Sequence, residues 1–188
     1  MRQRRQRDFF ENDRALNPRR LSHGGELAQG KRKLIRPLDP RRPVHVTMRS
    51  SKAKGRLSFR SKQIEIRKII ETAAARGNVK VHQFANVGNH LHLLISFKKR
   101  ESCQRFLREV AGLVARVVTG ARKGKPFGKF WDLLAHSRVV TGLRDLRNVV
   151  DYVFINQMEG QFGAGAIRSL VEAKRRAKVG WLVDYSDG

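Results

Sequence analysis

Two histidines separated by one residue lie inside a run of strand-forming residues, at positions 89–95 (NHLHLLI). Residues two apart in a β-strand point to the same face, so His90 and His92 would present their imidazoles side by side. Neutral imidazole is a common metal ligand, and two of them together begin a metal site. The same spacing also fits two ordinary residues on the polar face of a strand. A further ligand and a nucleophile elsewhere in the chain would favour the metal site.

A helix predicted over residues 143–158 could supply both groups. Tyr152 and Asn156 are four residues apart and therefore share one helix face. The phenol of tyrosine has a pKa of about 10, so the attacking anion is disfavoured by about 4 kcal/mol at neutral pH unless a nearby cation stabilises it. Attack on a phosphodiester would leave a covalent phosphotyrosine and divide one difficult step into two. Alternatively, Tyr152 is a half-buried aromatic residue and Asn156 a helix-end residue.

The proposed ligands also bear on the identity of the metal. Two imidazoles and an amide bind zinc or copper more tightly than magnesium by intrinsic affinity. A site that performs phosphoryl chemistry with abundant ions is nevertheless expected to use Mg²⁺ or Mn²⁺, which would polarise the phosphodiester as a Lewis acid. We therefore expect Mn²⁺ to support activity at least as well as Mg²⁺.

The composition points to a polyanionic partner. The chain has 188 residues, with 41 Lys and Arg against 16 Asp and Glu, which gives a formal charge of +25. Such a charge attracts nucleic acid, and no apolar stretch approaches the length that spans a bilayer. The basic beginning of the chain has no apolar region of the signal-peptide kind. The single cysteine, Cys103, excludes an intramolecular disulfide and fits a cytoplasmic protein.

The alternation of apolar residues predicts an α+β domain. Strands are expected over residues 44–49, 79–85, 90–97 and 137–140, and helices over 61–76, 101–119 and 143–158. The order β-α-β-β-α-β is that of a ferredoxin-like core with an antiparallel sheet, here followed by the helix that carries the tyrosine. In that fold the first and third of these strands are neighbours. We therefore expect His45 to lie close to His92.

Three segments are expected along the chain. A basic arm over residues 1–43, interrupted by proline and glycine, precedes the domain at 44–160, and a tail over 161–188 contains a predicted basic helix at 166–178. The arm is expected to track phosphates, with a solvated extension as the alternative. His23 is interpreted as a loop residue, and His136 as structural first and a DNA contact second. The residues expected to contact DNA are Arg32, Lys33, Arg36, Arg41, Arg42, His45, Arg49, Lys123, Lys125, Lys129 and Arg138.

Four segments together resemble the REP-associated tyrosine transposases, which are single-tyrosine transposases of the HUH superfamily. They are VHVTMR at 44–49, NHLHLLI at 89–95, FWDLLAHSRVV at 130–140 and DYVFIN at 151–156, and the resemblance extends over about residues 24–160. It implies an enzyme that nicks and transfers single-stranded DNA, often folded as hairpins, through a 5′-phosphotyrosine. It also implies a divalent cation, a monomer or homodimer, and a bacterial nucleoid-associated protein in the cytoplasm. By position, Tyr152 becomes the nucleophile, His90 and His92 the metal ligands, and Asn156 the third ligand.

The chain departs from this family pattern at two places. Val87-Gly88 replaces the usual Met-Pro before the histidine strand, which is expected to alter only a hairpin turn. Gln157 replaces the usual proline after Asn156, so the last helix is expected to run further. The alternative function is a non-catalytic nucleic-acid-binding protein, which needs only the charge and aromatic residues such as Phe127, Phe130 and Trp131.

Overall fold

The computed structural model of the chain describes residues 21–30 and 35–162. The strands are β1 Ser22–His23, β2 Val44–Arg49, β3 Val79–Asn86, β4 His90–Phe97 and β5 His136–Val139. The helices are α1 Gln63–Gly77, α2 Arg100–Thr119 and α3 Gly142–Phe162, with short 3₁₀ turns at Gly25–Ala28, Gly55–Leu57 and Phe59–Lys62. The strands form one antiparallel sheet in the order β1-β5-β2-β4-β3. No helix within the described ranges has the length and apolarity to cross a bilayer.

The predicted ferredoxin-like core is confirmed. Each strand and helix expected in the domain is present, and β2 lies beside β4 with Thr47 opposite His92. The helix α3 extends to Phe162, beyond the predicted end at residue 158, as the missing proline after Asn156 suggested. The predicted DNA-binding residues Arg32 and Lys33 and the predicted helix at 166–178 lie outside the described residues.

The interpretation of His23 as a loop residue was wrong. His23 belongs to β1, a two-residue edge strand in which it lies opposite Ser137 of β5. The following residue, Gly24, has a φ of 83°, and a Cβ atom on it would lie 2.2 Å from the carbonyl oxygen of Ala135. Since only glycine accepts both the conformation and the close approach, this residue holds the segment against the sheet. Further along, the Arg100 guanidinium donates to the Leu38 carbonyl oxygen at 3.0 Å, so the described part of the arm packs on the domain.

The two faces of the sheet bury different partners. Leu91, Leu93 and Ile95 of β4 are fully buried in the main hydrophobic core, which β2 and β3 share with helices α1 and α2. On the opposite face, Leu94 packs in a smaller cluster with Val153 and other residues of α3. Burying each such side chain contributes about 1.5–3 kcal/mol, and a one-residue slip of β4 would reverse its faces. The alternation therefore keeps both histidines on the side of the sheet that α3 covers.

Both ends of α3 are held against the sheet. Near its start, the Asp145 carboxylate accepts hydrogen bonds from the Arg138 guanidinium of β5 at 2.7 and 3.0 Å, and from the Thr141 backbone N–H at 2.8 Å. Near its end, the Arg60 guanidinium donates to the Glu159 carbonyl oxygen at 3.3 Å. Gly160 lies against the end of β3. The part of α3 between these two anchors carries the predicted nucleophile, Tyr152.

Gly160→Ala is expected to destabilise the protein because of this close approach. A Cβ atom at position 160 would lie 2.2 Å from the carbonyl oxygen of Asn86, so the helix end or the strand end must move. Such overpacking typically costs about 1–3 kcal/mol in the free energy of unfolding. Urea unfolding followed by circular dichroism would measure the change.

Gly112→Ala is the matched control for this substitution. Gly112 is also a helical glycine, within α2, and a Cβ atom added there meets no atom of the described residues within 4 Å. Replacing an unhindered helical glycine with alanine stabilises by about 0.5–1 kcal/mol. If Gly160→Ala stabilised the protein to the same extent as Gly112→Ala, the close packing of α3 on β3 would be refuted.

Candidate active site

Three imidazoles lie together on the α3 face of the sheet. The rings of His90 and His92 in β4 are 4.8 Å apart between centroids and nearly perpendicular, at 81°. His45, from the neighbouring strand β2, stacks on His92 with centroids 5.5 Å apart and an angle of 14°. The Nε2 atom of His45 lies 3.3 Å from the Nδ1 atom of His92. The proximity of His45 to His92 expected from the strand order is therefore present.

Helix α3 brings Tyr152 to the same place. The Tyr152 ring stands perpendicular to that of His92, with centroids 5.2 Å apart, and its centroid is 5.8 Å from that of His45. The residue is 48% exposed, so part of its ring and its surroundings remain open to solvent. A substrate could therefore approach the phenol from outside while the imidazoles lie beneath it.

All three imidazoles favour the neutral form. Burial, followed by the neighbouring imidazoles, lowers the pKa of His92 to about 3. Burial and the charge of Arg138 lower the pKa of His45 to about 4, and burial also lowers the pKa of His90. At neutral pH each ring therefore keeps one nitrogen lone pair, which is the form that binds metals.

The hydrogen bond of His90 selects which of its two nitrogens keeps the lone pair. The Nδ1 atom of His90 lies 2.6 Å from the side-chain oxygen of Asn89, so Nδ1 carries the proton and Nε2 is free to bind. The Nδ1 atom of His92 lies 3.3 Å from both His45 Nε2 and the Thr47 hydroxyl. The Nε2 atom of His92 is buried, and it has no hydrogen-bond partner among the described residues. An unsatisfied buried nitrogen costs about 1–3 kcal/mol, which a bound cation would remove.

These observations fit a divalent cation held by His90 and His92. The described residues include no cluster of three or more His, Cys, Asp or Glu that could hold a metal, so other donors must complete the coordination. Asn156 is a buried candidate on α3, and its side-chain amide donates to the Tyr152 carbonyl oxygen at 2.7 Å. Because a carbonyl oxygen only accepts, the amide nitrogen faces the helix and the side-chain oxygen is the end left for a ligand.

Some of the basic residues predicted to contact DNA bind within the protein. Arg36 donates to the Ser137 hydroxyl, and Arg138 forms the bidentate pair with Asp145. The Nε atom of Arg42 lies 3.3 Å from an Asp39 carboxylate oxygen. The Arg36 and Arg138 guanidinium groups therefore join separate segments of the fold, while Arg42 pairs within its own segment.

Other predicted contact residues project into solvent. The side chains of Arg41 and Arg49 are 75% and 66% exposed. The glycine-rich loop after α2 exposes Lys123, Lys125 and Lys129. His45 is instead buried behind His92, and His136 is half-buried in β5. Of the residues expected to contact DNA, Arg41, Arg49 and the three loop lysines therefore keep their charges accessible to a polyanion.

Three polar residues that orient the site were not predicted from the sequence. Thr47 and Asn89 contact the Nδ1 atoms of the two β4 histidines, and Asp145 fixes the start of α3. Thr47 could have been found, since it follows His45 by two residues in a strand and so shares its face. Asp145 lies in the first turn of a helix, where a carboxylate is typically favourable.

The amino-acid sequence of the chain matches that of a known transposase family. The model of the family described as "Transposase IS200 like" matches residues 43–153, which is more than half of the chain. The chain therefore belongs to the IS200-like transposase family. The relationship expected from the motifs is confirmed at that level. No curated protein sequence matches the chain.

Among solved structures, the chain is similar to a REP-associated tyrosine transposase bound to a REP hairpin. The two share 14% sequence identity and a TM-score of 0.57, over 84% of this chain and 95% of the other. At this identity the likeness concerns the fold.

Proposed function

We propose that this transposase is a metal-dependent enzyme that cleaves and rejoins single-stranded DNA through a 5′-phosphotyrosine at Tyr152. The observation that carries the proposal is the position of the Tyr152 ring, 5.2 Å from that of His92 within the same chain. We further propose that the DNA is a hairpin of the REP type, as the REP-associated motifs suggest. The similar fold of the REP-hairpin-bound transposase supports this assignment.

In the first step, the Tyr152 oxygen attacks the phosphorus of the scissile phosphodiester and the phenol proton passes to solvent. The P–O3′ bond breaks, the 3′ oxygen takes up a proton, and the 5′ phosphate stays on the tyrosine. In the second step, the 3′-hydroxyl of another DNA end attacks the phosphotyrosine, and Tyr152 leaves and regains its proton. One phosphodiester is exchanged for another through a covalent intermediate, so no nucleotide cofactor is needed.

The neutral imidazoles of His90 and His92 would hold Mg²⁺ or Mn²⁺ through their Nε2 atoms, and the side-chain oxygen of Asn156 is the proposed third ligand. When bound, the cation would supply Lewis-acid polarisation of the phosphate and favour the ionised phenol. Asn89 and Thr47 would keep the two imidazoles in the required tautomers. His45 would support His92 from behind.

The decisive experiment is incubation of the full chain with an end-labelled single-stranded hairpin oligonucleotide and Mn²⁺. We expect a protein–DNA adduct that survives denaturing electrophoresis, together with a fragment that ends in a free 3′-hydroxyl. Mg²⁺ should support the same reaction, and activity with Zn²⁺ alone would contradict the mechanism. If the protein binds the hairpin but forms no adduct, the protein is instead a non-catalytic nucleic-acid-binding protein.

DNA binding is expected to depend steeply on salt. If about six phosphates are neutralised, the slope of log K against log salt concentration is about −4 for a single strand. The double variant Lys123→Gln and Lys125→Gln, in the exposed loop, should make the slope shallower by about 1 to 2. Fluorescence anisotropy over a salt series measures it.

Lys68→Gln, at an exposed position of α1 behind the sheet, is the control for the loop variants and should leave the slope unchanged. A nearly flat response of the unmodified protein would exclude an electrostatic role for the basic surface.

A further inference from the structure

A cleft of about 690 Å³ opens beside Thr47, the β2 residue whose hydroxyl contacts His92. One wall is the end of β2, with Thr47 and Arg49. The opposite wall is built from Leu134, before β5, and from residues 25–29, which follow β1. Nothing in the proposed cleavage chemistry uses this second wall.

The cleft and the site share Thr47. Its hydroxyl lies 3.3 Å from the Nδ1 atom of His92, and its other side faces the cleft. Arg49 lies opposite His90 in the pairing of β2 with β4, and its side chain is 66% exposed. A DNA strand whose phosphate reaches the imidazoles and Tyr152 would therefore have one neighbouring nucleotide at the mouth of this cleft.

The lining has the mixed character of a base-binding pocket. Leu27 and Leu134 are 43% and 65% exposed, and both border the cleft, so they offer apolar surface to the flat face of a base. Gln29 and Glu26 are exposed beside them and can hydrogen-bond to a base edge. The Arg49 guanidinium can form an ion pair with the adjoining phosphate. Its Nε atom lies 3.9 Å from a carboxylate oxygen of Asp132, which also accepts from the Ser51 backbone N–H at 2.8 Å.

The wall formed by residues 25–29 is fixed by backbone contacts. The Gly25 N–H donates to the Leu134 carbonyl oxygen at 2.9 Å, which ties the two apolar sides of the cleft together. Immediately before it, Gly24 fits against the Ala135 carbonyl oxygen, where no Cβ atom has room. A wall positioned in advance loses little entropy when a ligand binds.

We propose that this cleft binds the base of the nucleotide adjoining the scissile phosphate, with Leu27 and Leu134 packing on its face and Gln29 bonding to its edge. The inference rests on the proposed function and deepens it. If the cleft binds this base, the described part of the basic arm helps to determine where the DNA is cleaved. This role is separate from any contribution of the arm's charge to affinity.

The test uses hairpin substrates with an abasic nucleotide placed in turn at each position flanking the cleavage site. With the unmodified protein and Mn²⁺, we expect one position at which base removal slows adduct formation by about 10-fold, within the range of a lost base contact. Leu134→Ala should slow the reaction on the intact substrate by a similar factor. Removing the base at that position should then have no further effect. If Leu134→Ala and removal of the base slowed the reaction independently, so that their factors multiplied, the proposal would be overturned.

Ile64→Ala is the matched control, because Ile64 is 80% exposed on α1, behind the sheet. It should retain the full sensitivity to the abasic position. Gly24→Ala displaces the wall without changing the identity of any side chain that lines the cleft. It should therefore reduce the sensitivity to the abasic position as Leu134→Ala does.

A binding measurement separates this inference from the proposed function. In Tyr152→Phe protein, a 2-aminopurine base at the sensitive position, or scanned across the substrate, should change its fluorescence when the protein binds. Leu134→Ala should remove that change. If no substrate yields an adduct with the unmodified protein, the proposed function fails while this readout still decides the role of the cleft. Equal fluorescence with and without Leu134→Ala would refute the base-binding cleft.

Discussion

Tyr152→Phe is expected to abolish the covalent protein–DNA adduct, lowering its rate of formation by more than about 10³-fold. The substitution removes the attacking oxygen and keeps the ring that packs against His92 and His45. Since the residue is half-exposed, the free energy of unfolding should change by no more than about 0.5 kcal/mol. Affinity for hairpin DNA should stay within about twofold. Denaturing electrophoresis, thermal melting and anisotropy measure the three quantities.

Tyr185→Phe is the natural control, because the chain has two tyrosines and Tyr185 is the other. Tyr185 lies outside the described residues. The substitution Tyr185→Phe is expected to leave adduct formation unchanged. If Tyr152→Phe protein still formed the adduct, or Tyr185→Phe protein lost it, the assignment of the nucleophile would have to be abandoned.

The arrangement within one chain explains why this substitution should act so directly. Helix α3 is tied to β5 by Asp145 and fits against β3 at Gly160, so the helical segment between them stays over the histidine strand. Tyr152 therefore meets the imidazoles of its own chain.

The fold could be predicted from the sequence where burial imposes a period. Strand β4 matches its prediction at both ends, because alternate residues must enter the core while the histidines remain on the other face. Strand β1 could not be predicted, since two residues carry no period and the position depends on Gly24 fitting against Ala135. The end of α3 at Phe162 depends likewise on the contact of Gly160 with a distant strand.

The site was predictable in outline for a related reason. The neighbouring strands of a ferredoxin-like core bring His45 to His92, and helical spacing places Tyr152 and Asn156 on one face. The partners of individual charges were not predictable, because a sequence does not distinguish an arginine that meets solvent from one that meets a carboxylate. Arg138 illustrates this, since its guanidinium is engaged by Asp145 at the start of α3.

Removal of either β4 imidazole is expected to weaken metal binding strongly. His90→Ala and, separately, His92→Gln should each weaken Mn²⁺ binding by about 100-fold or more, since loss of even an outer hydrogen-bond partner of a ligand typically costs 10–100-fold. Glutamine is chosen at position 92 because His92 is 2% exposed and alanine would leave a cavity there. Titration followed by the electron paramagnetic resonance signal of free Mn²⁺ measures the affinity directly.

His82→Ala is the matched control for these variants. His82 is also a strand histidine, but it lies on β3 with its Nε2 atom 2.8 Å from the Ser96 hydroxyl, and it is not one of the three clustered imidazoles. It should bind Mn²⁺ as the unmodified protein does. The orphaned Nε2 atom of His92 is what makes the prediction specific, because a nitrogen satisfied within the protein would gain little from a cation. Unchanged Mn²⁺ affinity in both variants would show that any required ion binds elsewhere and would remove the histidine pair from the mechanism.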